Sequence, residues 1–201
     1  MREQPLLILD FDGVIVDGIQ EYWTSSRQTC LNILSSQEKE IFLPNEMPKT
    51  FKTMRPWVHH GWEMVILAAE CSDKASQLNL KGLKKFSKNY SNECTSALTR
   101  WSWTPSQLQE ALNQTRREAI SNNLNQWLTY HQPFSSVVQR LQRLEKENIE
   151  FAVLTTKSIE FTKILLNSFS LKPKLIFGHE SGSKIDVLNQ LLNKRIIRGF
   201  I

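Results

Sequence analysis

The segment Leu6-Leu7-Ile8-Leu9-Asp10-Phe11-Asp12-Gly13-Val14-Ile15-Val16-Asp17-Gly18 decides the fold of this chain. Its four consecutive aliphatic residues are followed at once by carboxylates and glycines. A short apolar run that ends in this way is typical of a parallel strand covered on both faces. Open α/β sheets bind their ligands at the carboxyl ends of such strands. The segment therefore predicts a buried strand that delivers a nucleophile, and we expect the chemistry to begin at Asp10.

Two further buried strands are predicted in the last third of the chain, at residues 151–154 and 175–177. Helical patterns precede, separate and follow them, and this alternation is typical of a parallel sheet. Between Gly18 and residue 133 the periodicity is mainly helical, and prolines at 44, 48 and 56 predict an irregular segment with brief helical turns over residues 35–56. We therefore predict an α/β fold, with a Rossmann-like three-layer core formed by residues 1–16 and 133–201. The predicted insertion, residues 17–132, is all helical.

Inside the insertion, individual helix ends can be predicted from capping residues. Asp17 is a candidate N-cap with Gln20 as its partner. A helix is expected over residues 57–69, where apolar residues occur on several sides. Thr104-Pro105 with Gln107 is a strong helix start, because Thr can cap, Pro suits the first helical position and Gln completes a capping box. That helix should run toward Trp127.

The bulk composition excludes several classes of protein. The chain has 201 residues, 25 basic and 20 acidic, for a net charge of +5, which favours anionic ligands without requiring nucleic acid. Its three cysteines form no C-x-x-C pair, so neither a disulfide framework nor a zinc site is indicated. No segment resembles a signal peptide or reaches the roughly 20 apolar residues of a membrane span. We expect a cytoplasmic protein with no nucleic-acid or membrane partner.

Asp10 and Asp12 stand two residues apart, so on an extended backbone both side chains leave the same side of the chain. One carboxylate can attack phosphorus while the other manages protons, provided that a metal offsets the negative charge. Mg²⁺ is the expected ion, since it prefers hard oxygen ligands. The structural alternative is that these residues merely end a strand and cap a helix. A calcium loop is excluded, because Gly13 and Val14 stand where its pattern needs other residues.

The block from Asp10 to Gly18 closely resembles the first motif of the haloacid dehalogenase-like (HAD) phosphatases. In that family the first Asp is the nucleophile that forms an aspartyl-phosphate. The second is the general acid and then the base, and its backbone carbonyl helps to hold magnesium. The resemblance gives these catalytic and metal-binding roles to Asp10 and Asp12. The second carboxylate also separates this chain from the dehalogenase branch, which lacks it.

Further residues match later motifs of that family. Thr155, after the strand 151–154, is similar to the second-motif hydroxyl that hydrogen-bonds the phosphoryl group. Lys184 resembles the third-motif lysine that pairs with the nucleophile and the phosphate, and Lys157 is the alternative for that role. The helical insertion matches a cap of the C1 type, which closes over the cleft and selects substrates. Within it, Arg55 is a candidate clamp for a phosphate or carboxylate, or else an ordinary surface residue.

The sequence departs from the family at the fourth motif, an acidic pair on the next strand that completes the magnesium site. After Asp186 the chain contains no Asp or Glu. Three explanations compete: a product cut short, which we favour, a natural pseudoenzyme, or a site completed by Glu180 or Asp186. Without the missing strand, the Asp10 strand would have an exposed edge through which copies of the chain could pair. Alternatively, residues 195–201 could form a makeshift edge strand, with Arg198 where a carboxylate is wanted.

The first functional hypothesis is a magnesium-dependent HAD-type hydrolase, a phosphatase that acts on a small phosphorylated metabolite. The second is a catalytically impaired protein that binds a phosphorylated ligand or a protein partner. A phosphomutase is a third. The missing acidic motif predicts weak magnesium binding and slow turnover. No sequence motif in the insertion indicates a particular metabolite.

Overall fold

The structure is a computed structural model that describes residues 6–36 and 42–193, together with the backbone of 197–200. The chain folds into two compact units. One combines Met1–Gly18 with His131–Ile201, and we call it the α/β unit; the other, Ile19–Tyr130, we call the helical unit. The predicted boundaries, after residue 16 and before residue 133, each lie two residues from these boundaries.

Strands occur near the two ends of the chain, and the middle of the chain is helical. The strands are β1 (Leu6–Leu9), β2 (Val16–Asp17), β3 (Gln132–Pro133), β4 (Phe151–Leu154), β5 (Leu175–Phe177) and β6 (Ile197–Phe200). The helices are α1 (Ile19–Ser36), α2 (Lys49–Met54), α3 (Glu63–Ser72), α4 (Gln77–Lys81), α5 (Leu83–Lys88), α6 (Tyr90–Trp101), α7 (Pro105–Thr129), α8 (Ser135–Lys146), α9 (Ile159–Ser168) and α10 (Lys184–Leu192).

The α/β unit is built on a parallel sheet with the strand order β5-β4-β1-β6. In β1, Ile8 pairs with Ala152 of β4, and Ala152 pairs in turn with Leu175 of β5. This α/β fold with a parallel sheet and a helical insertion is the predicted one. The three aliphatic runs form strands with the predicted bounds, because continuous Val, Ile, Leu and Phe side chains are most stable where both sheet faces are covered.

The sequence predicts either an exposed edge on β1 or a makeshift edge strand beside it. The structure has the edge strand. β6 runs parallel to β1, with Leu7 opposite Gly199 and Ile8 opposite Phe200. The makeshift strand predicted over residues 195–201 is thus present at Ile197–Phe200, so β1 is an interior strand. We therefore no longer expect copies of the chain to associate through a free edge of β1. The side chain of Arg198, expected near the metal position, lies outside the described atoms.

One face of the sheet packs against α10. Leu6 and Ile8 of β1 and Ala152 of β4 form a buried cluster with Val187 and Leu191 of the helix. On β4, Phe151 and Val153 alternate with the residues of this cluster and are also buried, so both faces of the sheet are covered. The covered sheet fixes β1 and β4 firmly, and their carboxyl ends therefore form a stable platform for side chains.

The helical unit has a hydrophobic core of its own. Trp23, Phe51, Phe86 and Leu112 are among its fully buried members, and α3 is buried along nearly its whole length. A buried ion pair lies within the unit: the Arg116 guanidinium donates to both Glu21 oxygens, at 2.7 and 2.9 Å.

Several predicted helix ends are correct and others are not. The capping box at Thr104 is present, with Thr104 and Gln107 bonded reciprocally. Asp17 lies in β2, where it pairs with Gln132, and α1 begins two residues later, at Ile19. The helix predicted over 57–69 begins later, at Glu63, since residues 55–57 form a separate 3₁₀ turn. Within the described part of the chain, no helix combines the length and apolarity needed to cross a bilayer.

Candidate active site

Asp10 and Asp12 lie on the tight turn that follows β1. The Gly13 amide donates to the Val16 carbonyl at 2.7 Å, and the Ile15 amide donates to the Phe11 carbonyl at 2.9 Å. Gly13 has a φ of +89°, a conformation that is costly for residues with a Cβ. The glycine therefore lets the chain reverse immediately after the two carboxylates, and both remain at the carboxyl edge of the sheet.

The Asp10 carboxylate is held from two sides. Its Oδ1 accepts from the Phe11 amide at 2.7 Å, and its Oδ2 accepts from the Lys184 ammonium at 2.6 Å. Roughly a third of each side chain remains exposed, 32% for Asp10 and 31% for Lys184. The pair is thus oriented by hydrogen bonds but open to a ligand. This contact joins two residues that the sequence predicts as partners across most of the chain length.

Lys184 is placed by the start of α10. The Ser183 hydroxyl caps this helix: it accepts from the Asp186 amide at 3.1 Å and donates to the Asp186 carboxylate at 2.6 Å. A cation in the first helical turn is unfavourable beside the positive end of the helix dipole. Asp10 and Asp186 supply the negative charges that offset it. The Lys184 charge is therefore balanced by Asp10 within the protein, while the exposed third of its side chain leaves it accessible to an anionic ligand.

Lys157 faces the other carboxylate. Its ammonium lies 3.6 Å from Asp12 Oδ1, with the Lys157 side chain fully buried and only 7% of the Asp12 side chain exposed. A buried charge is strongly disfavoured unless an opposite charge or hydrogen bonds compensate it. The sequence gives Lys184 as the candidate for the third-motif role and Lys157 as the alternative, and the structure places one of the two ammonium groups beside each carboxylate. The loop between β4 and α9 thereby brings a second cation to the site.

Thr155 ends β4 in the position expected of it, and it is buried. Its amide donates to the Phe177 carbonyl of β5 at 2.9 Å, while its hydroxyl accepts from the Lys157 amide at 3.1 Å. The hydroxyl therefore shapes the loop that carries Lys157. Its own hydrogen remains available to an acceptor, which is the property a phosphoryl-binding hydroxyl needs.

Gly178 is a residue of the site that sequence reasoning missed. A Cβ at this position would lie 2.8 Å from the Lys157 carbonyl oxygen and 2.7 Å from the Ile159 amide nitrogen. The end of β5 therefore packs directly against the Lys157 loop, and a larger residue would displace it. The only signal in the sequence is a glycine immediately after an apolar strand, which is common at ordinary turns.

Glu180 and Asp186 each have a hydrogen-bond partner of their own. The Glu180 carboxylate accepts from the Ile159 amide at the start of α9, at 3.2 Å, and the Asp186 carboxylate accepts from the Ser183 hydroxyl at 2.6 Å. Across the described residues, no group of three or more His, Cys, Asp or Glu side chains is arranged to hold a metal ion. The idea that either acid replaces the missing pair stays a prediction.

The remaining donor set suits magnesium only in part. Asp10 and Asp12 offer hard oxygen atoms at one edge of the sheet, and Mg²⁺ is commonly bound by one or two carboxylates together with a substrate phosphate. Each carboxylate, however, already faces a lysine. An ion would have to share these oxygens with the ammonium groups, so the residues present fit magnesium that arrives with a phosphate better than a permanently bound ion.

Arg55 belongs to the helical unit, in the 3₁₀ turn after α2. Its guanidinium lies over the ring of Tyr22, 5.4 Å from the ring centroid, and Arg116 lies over the same ring at 5.2 Å. Contacts of this kind stabilise a cation on an aromatic face. Arg55 is thus positioned within its own unit, and its predicted role as a substrate clamp stays a prediction.

Solved structures with the same fold are phosphatases by name. Phosphatase Tt82 from Thermococcus thioreducens has a TM-score of 0.55 at 13% identity, over 93% of this chain and 78% of that one. A predicted phosphoglycolate phosphatase from Haemophilus somnus has a TM-score of 0.57 at 15% identity, over 96% of this chain and 72% of the other. A predicted phosphatase from Clostridium acetobutylicum has a TM-score of 0.53 at 14% identity, with the same coverage of 96% and 72%.

At these identities the likeness concerns the fold. It confirms the predicted fold, an α/β core with a parallel sheet and a helical insertion. No protein-family profile and no curated protein sequence matches the chain.

Proposed function

We propose that this chain is a phosphoric monoester hydrolase of the HAD type that acts on a small phosphorylated metabolite. The observation that carries the proposal is the pairing of Asp10 with Lys184 at 2.6 Å, beside Asp12 and its buried partner Lys157. Two carboxylates can provide a nucleophile and a proton carrier, while two ammonium groups attract the phosphate. The phosphatase names of the solved structures with this fold support the same reaction class.

In the proposed reaction, a carboxylate oxygen of Asp10 attacks the phosphorus atom and the ester P–O bond breaks. Asp12, which must be protonated in the complex with substrate, gives its proton to the leaving alkoxide, which departs as an alcohol, and Asp10 becomes an aspartyl-phosphate. Asp12, now ionised, accepts a proton from water, whose oxygen attacks the phosphorus. Orthophosphate is released and the Asp10 carboxylate is restored. Lys184 and Thr155 would orient the phosphoryl oxygens, and Lys157 would hold Asp12 in place.

We propose Mg²⁺ as the cofactor, held by Asp10 and Asp12 together with the phosphate of the substrate. When bound, the ion would offset negative charge on the phosphoryl group and lower the repulsion between it and Asp10. Because the described residues bring only two acidic side chains to this edge of the sheet, we expect millimolar rather than micromolar magnesium to be needed. We also propose a cytoplasmic location, which is consistent with three free thiols.

The test is hydrolysis of p-nitrophenyl phosphate by the full chain, with and without magnesium, beside three matched substitutions in one segment. We expect Asp10→Asn to abolish hydrolysis and the phosphoenzyme, and Asp12→Asn to reduce kcat by about 10²- to 10⁴-fold, the usual range for a lost general acid. Asp17→Asn, in the exposed β2, should retain wild-type activity. Turnover that survives Asp10→Asn would contradict the proposal.

The second candidate is a protein that binds a phosphorylated ligand without turning it over. It is favoured by one observation, the neutralisation of both carboxylates by lysines in a site with no third acid among the described residues. Titration calorimetry with orthophosphate distinguishes the two. Binding that depends on Lys184, with no hydrolysis at any magnesium concentration, would select this candidate over the hydrolase.

A further inference from the structure

The helical unit contains a cavity of about 420 Å³ between α1 and α7. This volume lies within the range of small-molecule sites in proteins. Side chains from both helices line it, among them Thr24, Gln28, Asn122, Gln126 and Tyr130. Nothing in the proposed phosphatase reaction uses these residues.

The chemistry of the lining is neutral and rich in hydrogen-bonding groups. Hydroxyls and carboxamides predominate, the carboxylate of Glu118 is the one ionisable acid, and the lining includes no lysine, arginine or histidine. A carboxamide carries both donors and acceptors, and so does a hydroxyl. The lining therefore offers no cation to attract a phosphate, and its one carboxylate would repel it, unlike the site around Asp10.

The floor of the cavity is held by a buried polar network. The hydroxyl of Ser25, a lining residue, donates to Glu21 at 2.6 Å, and Glu21 is in turn paired with Arg116. The hydroxyl of Thr115, which also lines the cavity, lies 3.0 Å from that of Thr29. Buried networks in which the members bond one another fix side-chain positions. The cavity thus has a preorganised base, a requirement for selective binding.

The rim contains an interruption of α7. Asn123 has an extended backbone, φ −161° and ψ 87°, inside an otherwise helical segment. Its side-chain oxygen accepts from the Gln126 amide at 3.0 Å and so caps the turn that follows. A helix that stops and restarts leaves carbonyl groups of the preceding turn without helical donors. The interruption lies at two lining residues, Asn122 and Asn123, and separates this wall from the regular part of α7.

We propose that this cavity binds an uncharged, polyhydroxylated small molecule of the sugar or polyol class. Adjacent hydroxyl groups on such a ligand can each donate and accept, which matches carboxamides from Gln28 and Asn122 on facing helices. The indole of Trp127 is nearly fully buried beneath the lining and closes the base of the cavity between the polar groups. The inference does not depend on the proposed phosphatase activity.

The test is calorimetric or saturation-transfer NMR titration of the full chain with D-glucose and sucrose, in phosphate-free buffer. The variants are Asn122→Leu, which removes lining amide groups, and Asn125→Leu, which changes an equally exposed amide that does not line the cavity. We expect saturable binding of at least one sugar, weakened at least tenfold by Asn122→Leu and unchanged in Asn125→Leu.

Gln28→Leu, on the opposite wall, should also weaken sugar binding. Its urea unfolding midpoint, compared with that of the unchanged chain, will show that the helical unit remains folded. Addition of orthophosphate should leave the sugar affinity unchanged, because the two ligands use different units. The proposal is overturned if neither sugar binds saturably, if Asn122→Leu and Asn125→Leu bind equally well, or if orthophosphate competes.

Discussion

At the scale of single residues, the two lysines of the candidate site differ in burial, and their loss should have different effects. Removing one partner of a buried ion pair leaves an uncompensated charge and typically costs 3–5 kcal/mol, about ten times more than an exposed pair is worth. Lys157 is fully buried, whereas Lys184 is about a third exposed.

We predict that Lys157→Met lowers the free energy of unfolding by about 3 kcal/mol, measured by urea denaturation. Lys184→Met should lower it by less than about 1 kcal/mol and should instead weaken orthophosphate binding. The double variant Asp12→Asn/Lys157→Met should recover part of the loss, because the unpaired charge is gone. Equal effects of the two lysine substitutions on stability would show that Lys157 is not the buried partner of Asp12.

The cysteines provide a second residue-scale prediction. Burial raises the pKa of the Cys94 thiol from near 9 to about 12, and it raises the pKa of Cys30 further. In the unfolded chain both thiols ionise near pH 9, whereas in the folded chain they stay protonated. The unfolded state therefore binds fewer protons above pH 9, and stability falls as the pH rises from 9 toward 12.

We expect urea midpoints to decline over this pH window, and Cys30→Ala/Cys94→Ala to show a shallower decline than the unchanged chain. A thiol-specific reagent at pH 8 should label the native protein slowly and the urea-unfolded protein rapidly. Fast labelling of the native protein would mean that the thiols are accessible.

These residues also show what the sequence can and cannot provide. Asp10 and Asp12 are recognisable because their spacing after a buried strand resembles a family motif, and Lys184 because a lysine in a first helical turn is unfavourable without an anion nearby. Lys157 has no such signal, since a lysine beside a strand end is ordinary when it is exposed. Its burial depends on Gly178 and the end of β5, which are distant in the chain.

At the scale of elements, helix caps connect local stability with the site. Ser183 caps α10 and Thr104 caps α7. In each case the side-chain hydroxyl accepts a hydrogen bond from a backbone amide in the first turn of the helix. Replacement of such a residue by Ala costs about 1 kcal/mol. Only Ser183 is adjacent to a residue of the candidate site, so the two substitutions form a matched pair.

We predict that Ser183→Ala and Thr104→Ala lower the free energy of unfolding by similar amounts, about 1 kcal/mol each. Ser183→Ala should in addition raise the KM for an aryl phosphate, because Lys184 loses its fixed position. Thr104→Ala should leave KM unchanged. A rise in KM in both variants would indicate a general effect of lost stability rather than the positioning of Lys184.

Elements were predicted well wherever local sequence outweighs the surroundings. β1, β4 and β5 have the predicted bounds because their apolar runs are short, continuous and flanked by polar residues. The interruption of α7 at Asn123 was missed, since asparagine is tolerated inside helices and nothing nearby breaks the pattern. β2 and β3 were also missed: two-residue strands have no periodicity, and they form only because each pairs with the other.

At the scale of the whole molecule, the helical unit is one continuous segment with its own core, whereas the α/β unit is assembled from two segments. We predict that a fragment of residues 19–130 folds alone with a cooperative thermal transition and helical circular dichroism. As its control, residues 131–201 alone should remain unfolded, because β4 and β5 lack β1. A fragment 19–130 without a cooperative transition would contradict this independence.

The pairing of β2 with β3 bears on the order in which the chain folds. β1 and β4 pair across about 140 residues, a separation that makes loop closure expensive. Once the helical unit has formed and Val16 meets Pro133, the open loop shrinks to about 25 residues, which reduces the closure cost by about 1.5 kcal/mol. That saving corresponds to a roughly tenfold faster search. The inserted helices would then act as a folding nucleus that brings the two halves of the sheet together.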